Sequence, residues 1–259
     1  MDLYDQISDL YDIWTDADPA GTPCRQFYLE RAVAIGGKVL EIGAGSGRIT
    51  AALAERELEV VALDSSARMI EACARRLARS TIEGSASAEL ICCDVFEFHT
   101  ESLMDLVILP MRTLGHFLKP ESRSRLFEKV NSLLRPKGFL IFDHFIAREE
   151  ATRMRDGLWE LVAHRVQHDG VLLLSHCYKA DFSQNILRSV LMVETISDQG
   201  IPLSKKVIPY DLAWVEPAEV EKLLSYSGFK LQHLYGDFSY GAFSPSSEEQ
   251  VWVAQKVAR

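Results

Sequence analysis

From Lys38 to Asp143 the chain alternates two hydrophobic rhythms. Five short runs are almost wholly apolar: KVLEI (38–42), EVVAL (59–63), AELICC (88–93), DLVIL (105–109) and GFLIF (138–142). Each is bounded by glycine, proline or acidic positions. Between them, RITAALAERE (48–57), SARMIEACARRLARS (66–80) and PESRSRLFEKVNSLLRP (120–136) repeat apolar residues every three or four positions. The first rhythm predicts strands buried on both faces, and the second predicts helices with one apolar stripe. Their alternation predicts a doubly wound α/β unit around a parallel sheet.

After Phe145 the texture changes. LWELVAHRVQ, GVLLLSHCYKADF, ILRSVLMVETISD and LSKKVIPYDLAW follow one another with only polar turn segments between, so about 157–214 reads as a small antiparallel sheet. EPAEVEKLLSYSG (216–228) then has the marks of a helix, with Pro217 early and Gly228 at its end. Two further strands are predicted at 230–236 and 250–257, and the serine-rich stretch 242–249 reads as a surface loop between them. The α/β core therefore resumes after an insertion.

Composition narrows the function. The chain has 259 residues with 28 Lys+Arg against 37 Asp+Glu, a net charge of −9, and no concentrated basic stretch. Nucleic-acid binding depends on Lys and Arg displacing phosphate counterions, so a nucleic-acid partner is not expected. The N-terminus MDLYDQISDLYDIW carries acids where a secretory signal needs basic residues, and no apolar run is long enough for a membrane span. Cysteines at 24, 73, 92, 93 and 177 form no C-x-x-C pair; Cys92 and Cys93 read as strand residues in a reducing cytoplasm.

The chemistry centres on VLEIGAGSGRIT (39–50), a strand, a turn with Gly43, Gly45 and Gly47, and a helix. Such glycines let the backbone approach a ligand at the carboxyl edge of a parallel sheet. The phosphate loop of nucleoside triphosphatases needs a Gly-Lys-Ser/Thr that the chain lacks, and the dinucleotide fingerprint would place its third glycine where Arg48 stands. Glu41, Gly43, Gly45 and Gly47 instead complete E-x-G-x-G-x-G. With these residues, and with EVVALD ending in Asp64, DSSARMIEAC, LICCDVFEF and LLRPKGFLIFD in order along the chain, the sequence resembles the class I S-adenosylmethionine-dependent methyltransferases.

That resemblance implies a Rossmann-like seven-stranded sheet whose last strand is antiparallel. It implies one domain: an N-terminal helical cap (1–35), a cofactor-binding core (36–146), an antiparallel β lid insertion (147–215) and the end of the core (216–259). It implies S-adenosylmethionine as methyl donor, leaving S-adenosylhomocysteine, held by Glu41, Gly43, Ala44 and Gly45, by Asp64 and Ser65 at the ribose, by Met69 over the adenine, by Asp94, Val95 and Phe96 at the adenine edge, and by Pro110 and Met111 after the fourth strand. The insertion and the segment YDQISDLYDIW resemble those of small-molecule methyltransferases, including amino-sugar N-methyltransferases of natural-product pathways. A small-molecule acceptor, methylated at nitrogen or oxygen, is the expectation. The rival is a protein that binds the donor without transferring its methyl group, as a regulatory partner or a non-redox cyclase.

Methyl transfer is an in-line displacement, and a base is needed only when the acceptor must lose a proton. His116, just beyond the fourth strand, is the first candidate base, because histidine as a residue type can change charge near neutral pH; packing under the next helix is the competing reading. His144, after Asp143 at the end of the fifth strand, is a second candidate. Tyr4 and Tyr11 lie seven apart, on one face of a helix, which fits either a buried aromatic stripe or a pair in which Tyr4 meets the donor and Tyr11 the acceptor. Arg112 is a candidate partner for an acidic group of donor or substrate. No ligand spacing supports a metal at His116, Asp143 and His144. His176 and Tyr178 share a face of the insertion, which serves either as a substrate wall or as a homodimer interface.

Overall fold

A computed structural model describes residues 3–80 and 88–258. The chain opens with α1 (Leu3–Ile7), α2 (Tyr11–Ala17) and α3 (Gly21–Ile35). There follow β1 (Lys38–Ile42), α4 (Arg48–Ala54), β2 (Glu59–Asp64), α5 (Ala67–Ser80), β3 (Ala88–Cys92), β4 (Met104–Leu109), a 3-10 turn (Thr113–His116), α6 (Pro120–Leu133) and β5 (Leu134–Phe145). After α7 (Glu149–Arg155) come β6 (Glu160–Gln167), β7 (Gly170–Asp181), β8 (Ile186–Ser197) and β9 (Pro202–Ala213), and then α8 (Pro217–Tyr226), β10 (Phe229–Tyr235) and β11 (Glu249–Lys256).

The main sheet has seven strands in the order β10-β11-β5-β4-β1-β2-β3, with β11 antiparallel to both neighbours. This is the doubly wound unit expected from the alternation, with the antiparallel last strand that the resemblance implies. One face packs Leu126, Phe127 and Val130 of α6 and Leu223 and Leu224 of α8 against Phe142 and Trp252; the other packs Phe27, Tyr28, Ile49 and Leu53 of α3 and α4 against Val251 and Val253. The helical pattern expected through residue 136 stops at Leu133, because Pro136 lacks the N–H of a helical turn and pushes Arg135 into extended backbone. Glu249, expected at the end of a loop, is the buried first residue of β11.

The second sheet has the order β6-β7-β8-β9 and is antiparallel throughout. Its inner face, with Leu172, Leu174, Leu191, Val193 and Ile208, closes over Leu3, Ile7 and Ile13 of the first two helices. The expected single N-terminal helix is broken between Ile7 and Tyr11, yet Tyr4 and Tyr11 still meet edge-to-face with ring centres 5.7 Å apart.

Candidate functional site

At the carboxyl ends of β1, β2 and β4 the sheet opens into a cavity of about 360 Å³. Its floor is the glycine loop. After Ile42 the backbone turns through Gly43 (φ 76°) and Gly45 (φ 55°), left-handed values that glycine adopts without strain. The walls also stand close: a Cβ on Gly43 would lie 2.7 Å from Thr113 Oγ1, and one on Gly45 would lie 3.3 Å from the Tyr11 ring. The N–H groups of Gly43 and Ala44 both donate to the Leu63 carbonyl, which pins the loop to β2.

Asp64, at the end of β2, accepts N–H bonds from Gly45 at 2.8 Å and Ser66 at 2.9 Å, so two backbone donors set the direction of its carboxylate. Glu41 lies buried beneath the loop and accepts from Thr50 Oγ1 at 2.6 Å. Burial pushes its carboxyl up to about 8. Cys93, Asp94, Val95 and Ser65 complete this side of the cavity. Asp94 Oδ1 accepts from the Phe96 N–H at 2.8 Å, but the Phe96 ring leaves the cavity for Phe117 and lies under the Arg125 guanidinium. Met69 is fully buried under Leu3 and Ile7 and is not among the lining residues.

Beyond β4, Pro110, Met111, Thr113, His116 and Phe117 line the cavity. Met111 (φ 55°) and Arg112 (φ 63°) are consecutive left-handed residues other than glycine, an arrangement that needs outside support. Asp143 supplies it by accepting both N–H groups at 2.9 Å and the Tyr28 hydroxyl at 2.6 Å. The Arg112 guanidinium meets protein carboxylates, Asp18 at 3.1 Å and Glu249, rather than the cavity. Burial lifts the Glu249 carboxyl to about 7 against the pull of Arg112. His144 is fully buried; its Nε2 accepts the Val215 N–H at 3.1 Å, and burial pushes its pKa down to about 3. It is a neutral core residue under the 3-10 turn, and the structure does not bring it to the cavity.

The first three helices provide the opposite wall through Tyr4, Tyr11, Thr15, Gly21 and Arg25. Tyr4 Oη and His116 Nε2 are hydrogen-bonded at 2.7 Å, with their rings edge-to-face. Burial and the nearby Asp64 carboxylate push the Tyr11 phenol above its ordinary range, which keeps it protonated. Arg48 reaches Asp16 at 3.3 Å with Nη2, while its buried Nη1 has no hydrogen-bond partner among the described residues. The sequence reading missed Thr15, Arg25, Arg48, Cys93 and Thr113. For Arg48 a signal was present: it opens the helix directly after the last loop glycine.

On the second sheet His176 and Tyr210 lie on the inner face with ring centres 5.9 Å apart, and Trp14 meets Tyr210 edge-to-face. The Tyr178 hydroxyl donates to the Thr152 carbonyl. Trp159, His164 and His168 are exposed, and Trp214 is buried against Phe182.

Residues 39–138 match the family model described as a methyltransferase domain. The carboxy-S-adenosyl-L-methionine synthase of Shewanella loihica is 26% identical over 48% of this chain and 50% of its own. The chain spans about half the length of the first such relatives. Among solved structures, the CcbJ methyltransferase from Streptomyces caelestis aligns with a TM-score of 0.81 and 23% identity over 98% of both chains. The sugar N-methyltransferase KedS8 from Streptoalloteichus sp. aligns at 0.72 with 16% identity, over 99% of this chain and 93% of its own. Residues 39–138 thus match a methyltransferase domain, and the chain shares the fold of these solved structures.

Proposed function

We propose that the protein transfers the methyl group of S-adenosylmethionine to a nitrogen or oxygen of a small molecule. The observation that carries this reading is that one cavity joins the glycine-loop floor to Tyr11 and the Tyr4–His116 pair on the facing wall. The donor set fits the methyl donor. Asp64 offers acceptor oxygens for a vicinal diol, Asp94 and Val95 a polar edge for the adenine, Glu41 and the loop backbone a place for the ammonium, and Arg25 with the unmatched Arg48 Nη1 two cations for the carboxylate. The bound donor supplies an electrophilic methyl group on a sulfonium.

The chain's own residues then align an acceptor lone pair and exclude water. An amine that arrives neutral needs no base. A hydroxyl acceptor hands its proton to His116, directly or through the Tyr4 hydroxyl bonded to Nε2. His176 and Tyr210, beside Trp14 under the second sheet, form the acceptor wall, and 147–215 acts as a lid within one domain.

Calorimetric titration with S-adenosylmethionine and S-adenosylhomocysteine tests the donor site. Binding of neither by folded protein overturns the reading. Transfer is then read as methyl label in acceptors analysed by mass spectrometry. The relatives named carboxy-S-adenosyl-L-methionine synthases favour a second reading, chemistry on the donor itself. A donor of changed mass formed without any acceptor supports that alternative.

The outer face of the second sheet is the proposed homodimer contact. It exposes Leu161, Val166 and Val207, and its charges pair among themselves as Arg188 with Asp181 and Asp211 and Lys205 with Glu194. Three strands of 12 residues beside one of 8 cover about 700 Å², near the ~800 Å² each partner buries in a stable complex. Sedimentation velocity on the Leu161→Asp, Val207→Asp variant is expected to give a monomer where the native chain gives a dimer. No helix among the described residues is long and apolar enough to cross a membrane, and the five free cysteines agree with the cytoplasm.

A further inference from the structure

Residues 3–18 carry aspartates at 5, 9, 12, 16 and 18, and each meets a partner on the body of the protein. Asp5 accepts from Ser66 Oγ at 2.7 Å, Asp9 faces Arg75 at 3.5 Å, Asp16 faces Arg48 at 3.3 Å and Asp18 faces Arg112 at 3.1 Å. Asp12 makes the tightest set. Its Oδ2 accepts from Arg76 Nη2 at 2.5 Å and its Oδ1 from Ser46 Oγ at 2.6 Å, while Arg76 Nε donates to the Ser46 carbonyl at 2.9 Å. Asp12, Arg76 and Ser46 thereby close a ring of hydrogen bonds, and Ser46 stands inside the glycine loop.

Two facts make this ring more than a surface tie. The segment supplies Tyr4, Tyr11 and Thr15 to the cavity wall, so its movement widens the way to a ligand beneath it. Its two helices have 5 and 7 residues, too short to hold together without their contacts. When the partners let go, these five carboxylates are left close together on a chain of net charge −9. Mutual repulsion then favours the open arrangement.

We propose that Asp12 is a positioning residue that locks the N-terminal segment onto the glycine loop through Arg76 and Ser46, and so sets how fast methyl donor and demethylated product exchange. This rests on the donor-binding reading above. The lock is an ion pair at the edge of solvent, so it weakens as salt shortens the screening length from about 10 Å at 0.1 M towards ~3 Å at 1 M.

Release of S-adenosylhomocysteine by stopped-flow displacement, and hydrogen–deuterium exchange over residues 3–17 of the ligand-free chain, test the lock. Asp12→Asn is expected to speed release about tenfold (~1.4 kcal/mol) and to raise exchange over 3–17, with the thermal midpoint nearly unchanged. Salt is expected to speed release from the native chain and to do little in the variant. Arg76→Gln should match Asp12→Asn, the double variant should be no faster than either, and Asp12→Glu should restore slow release in part. Asp9→Asn, at the exposed 3.5 Å pair, should behave as the native chain. Native release rates and native exchange in both Asp12→Asn and Arg76→Gln overturn the proposal. If S-adenosylhomocysteine does not bind at all, the donor reading falls, while exchange over 3–17 still decides the lock: faster in Asp12→Asn upholds it, unchanged overturns it.

Discussion

The two walls of the cavity are built by different means. The floor, from β1, β2 and β4, is held by backbone: left-handed turns, amide bonds to Leu63, and carboxylates fixed by N–H groups. The facing wall, from α1 and α2, is held by side chains: ion pairs, the Tyr4–His116 bond and a small apolar cluster shared with the second sheet. A backbone-built floor keeps its shape whether or not a ligand is present. A wall held by partly exposed ion pairs can leave and return.

Several substitutions separate the two walls. Asp143→Ala strikes the floor hardest, because it removes the acceptor of two N–H groups and the shorter bond of the buried Tyr28 hydroxyl, beside a half-buried guanidinium. A loss of about 3–5 kcal/mol in denaturant unfolding is expected, and a loss under 1 would show that the Met111–Arg112 turn stands without it. His116→Ala touches the contact between the walls. Turnover should fall ~10²-fold or more for a hydroxyl acceptor, while calorimetry finds donor affinity little changed; an undiminished rate removes His116 from the chemistry. Gly45→Ala places a methyl against Tyr11 in a left-handed turn, at ~1–2 kcal/mol for the backbone alone. Donor affinity should drop at least tenfold, and the thermal midpoint should fall by about 2–8 °C.

The gentlest probe is Glu41→Gln read against pH. The folded chain keeps the Glu41 proton to about 8, whereas an unfolded glutamate releases it near 4.5. Folding therefore favours the protonated form: stability from this group is full below pH 4.5 and declines as pH rises towards 8. The glutamine variant lacks that decline. Its stability relative to the native chain should rise between pH 6 and 8, by no more than ~2–3 kcal/mol. Equal slopes for the two proteins would mean that Glu41 is already ionised.

These walls also differed in how far the sequence disclosed them. The floor was legible because its signals are local: apolar runs of strand length, glycines at alternate positions, an aspartate ending EVVALD. His144 illustrates the limit. Its neighbours along the chain gave no sign that Val215 and the 3-10 turn would bury it, since both arrive from elsewhere in the fold. Arg112 looked available to a ligand for the same reason, its partners Asp18 and Glu249 lying 94 and 137 residues away. The aspartates of the first 18 residues registered only as charge unsuited to a secretory signal. Arg76, which gives Asp12 its meaning, is 64 positions distant.

Arg112 joins Asp18, before the first strand of the sheet, to Glu249, at the start of β11, the last of the described strands. During translation the early part of the chain thus waits for β11 before its own guanidinium contact is complete. A nascent chain that has made the whole glycine loop still lacks the clasp that seats its beginning. Completion of β11, rather than synthesis of the glycine loop, is then the moment at which that clasp becomes whole.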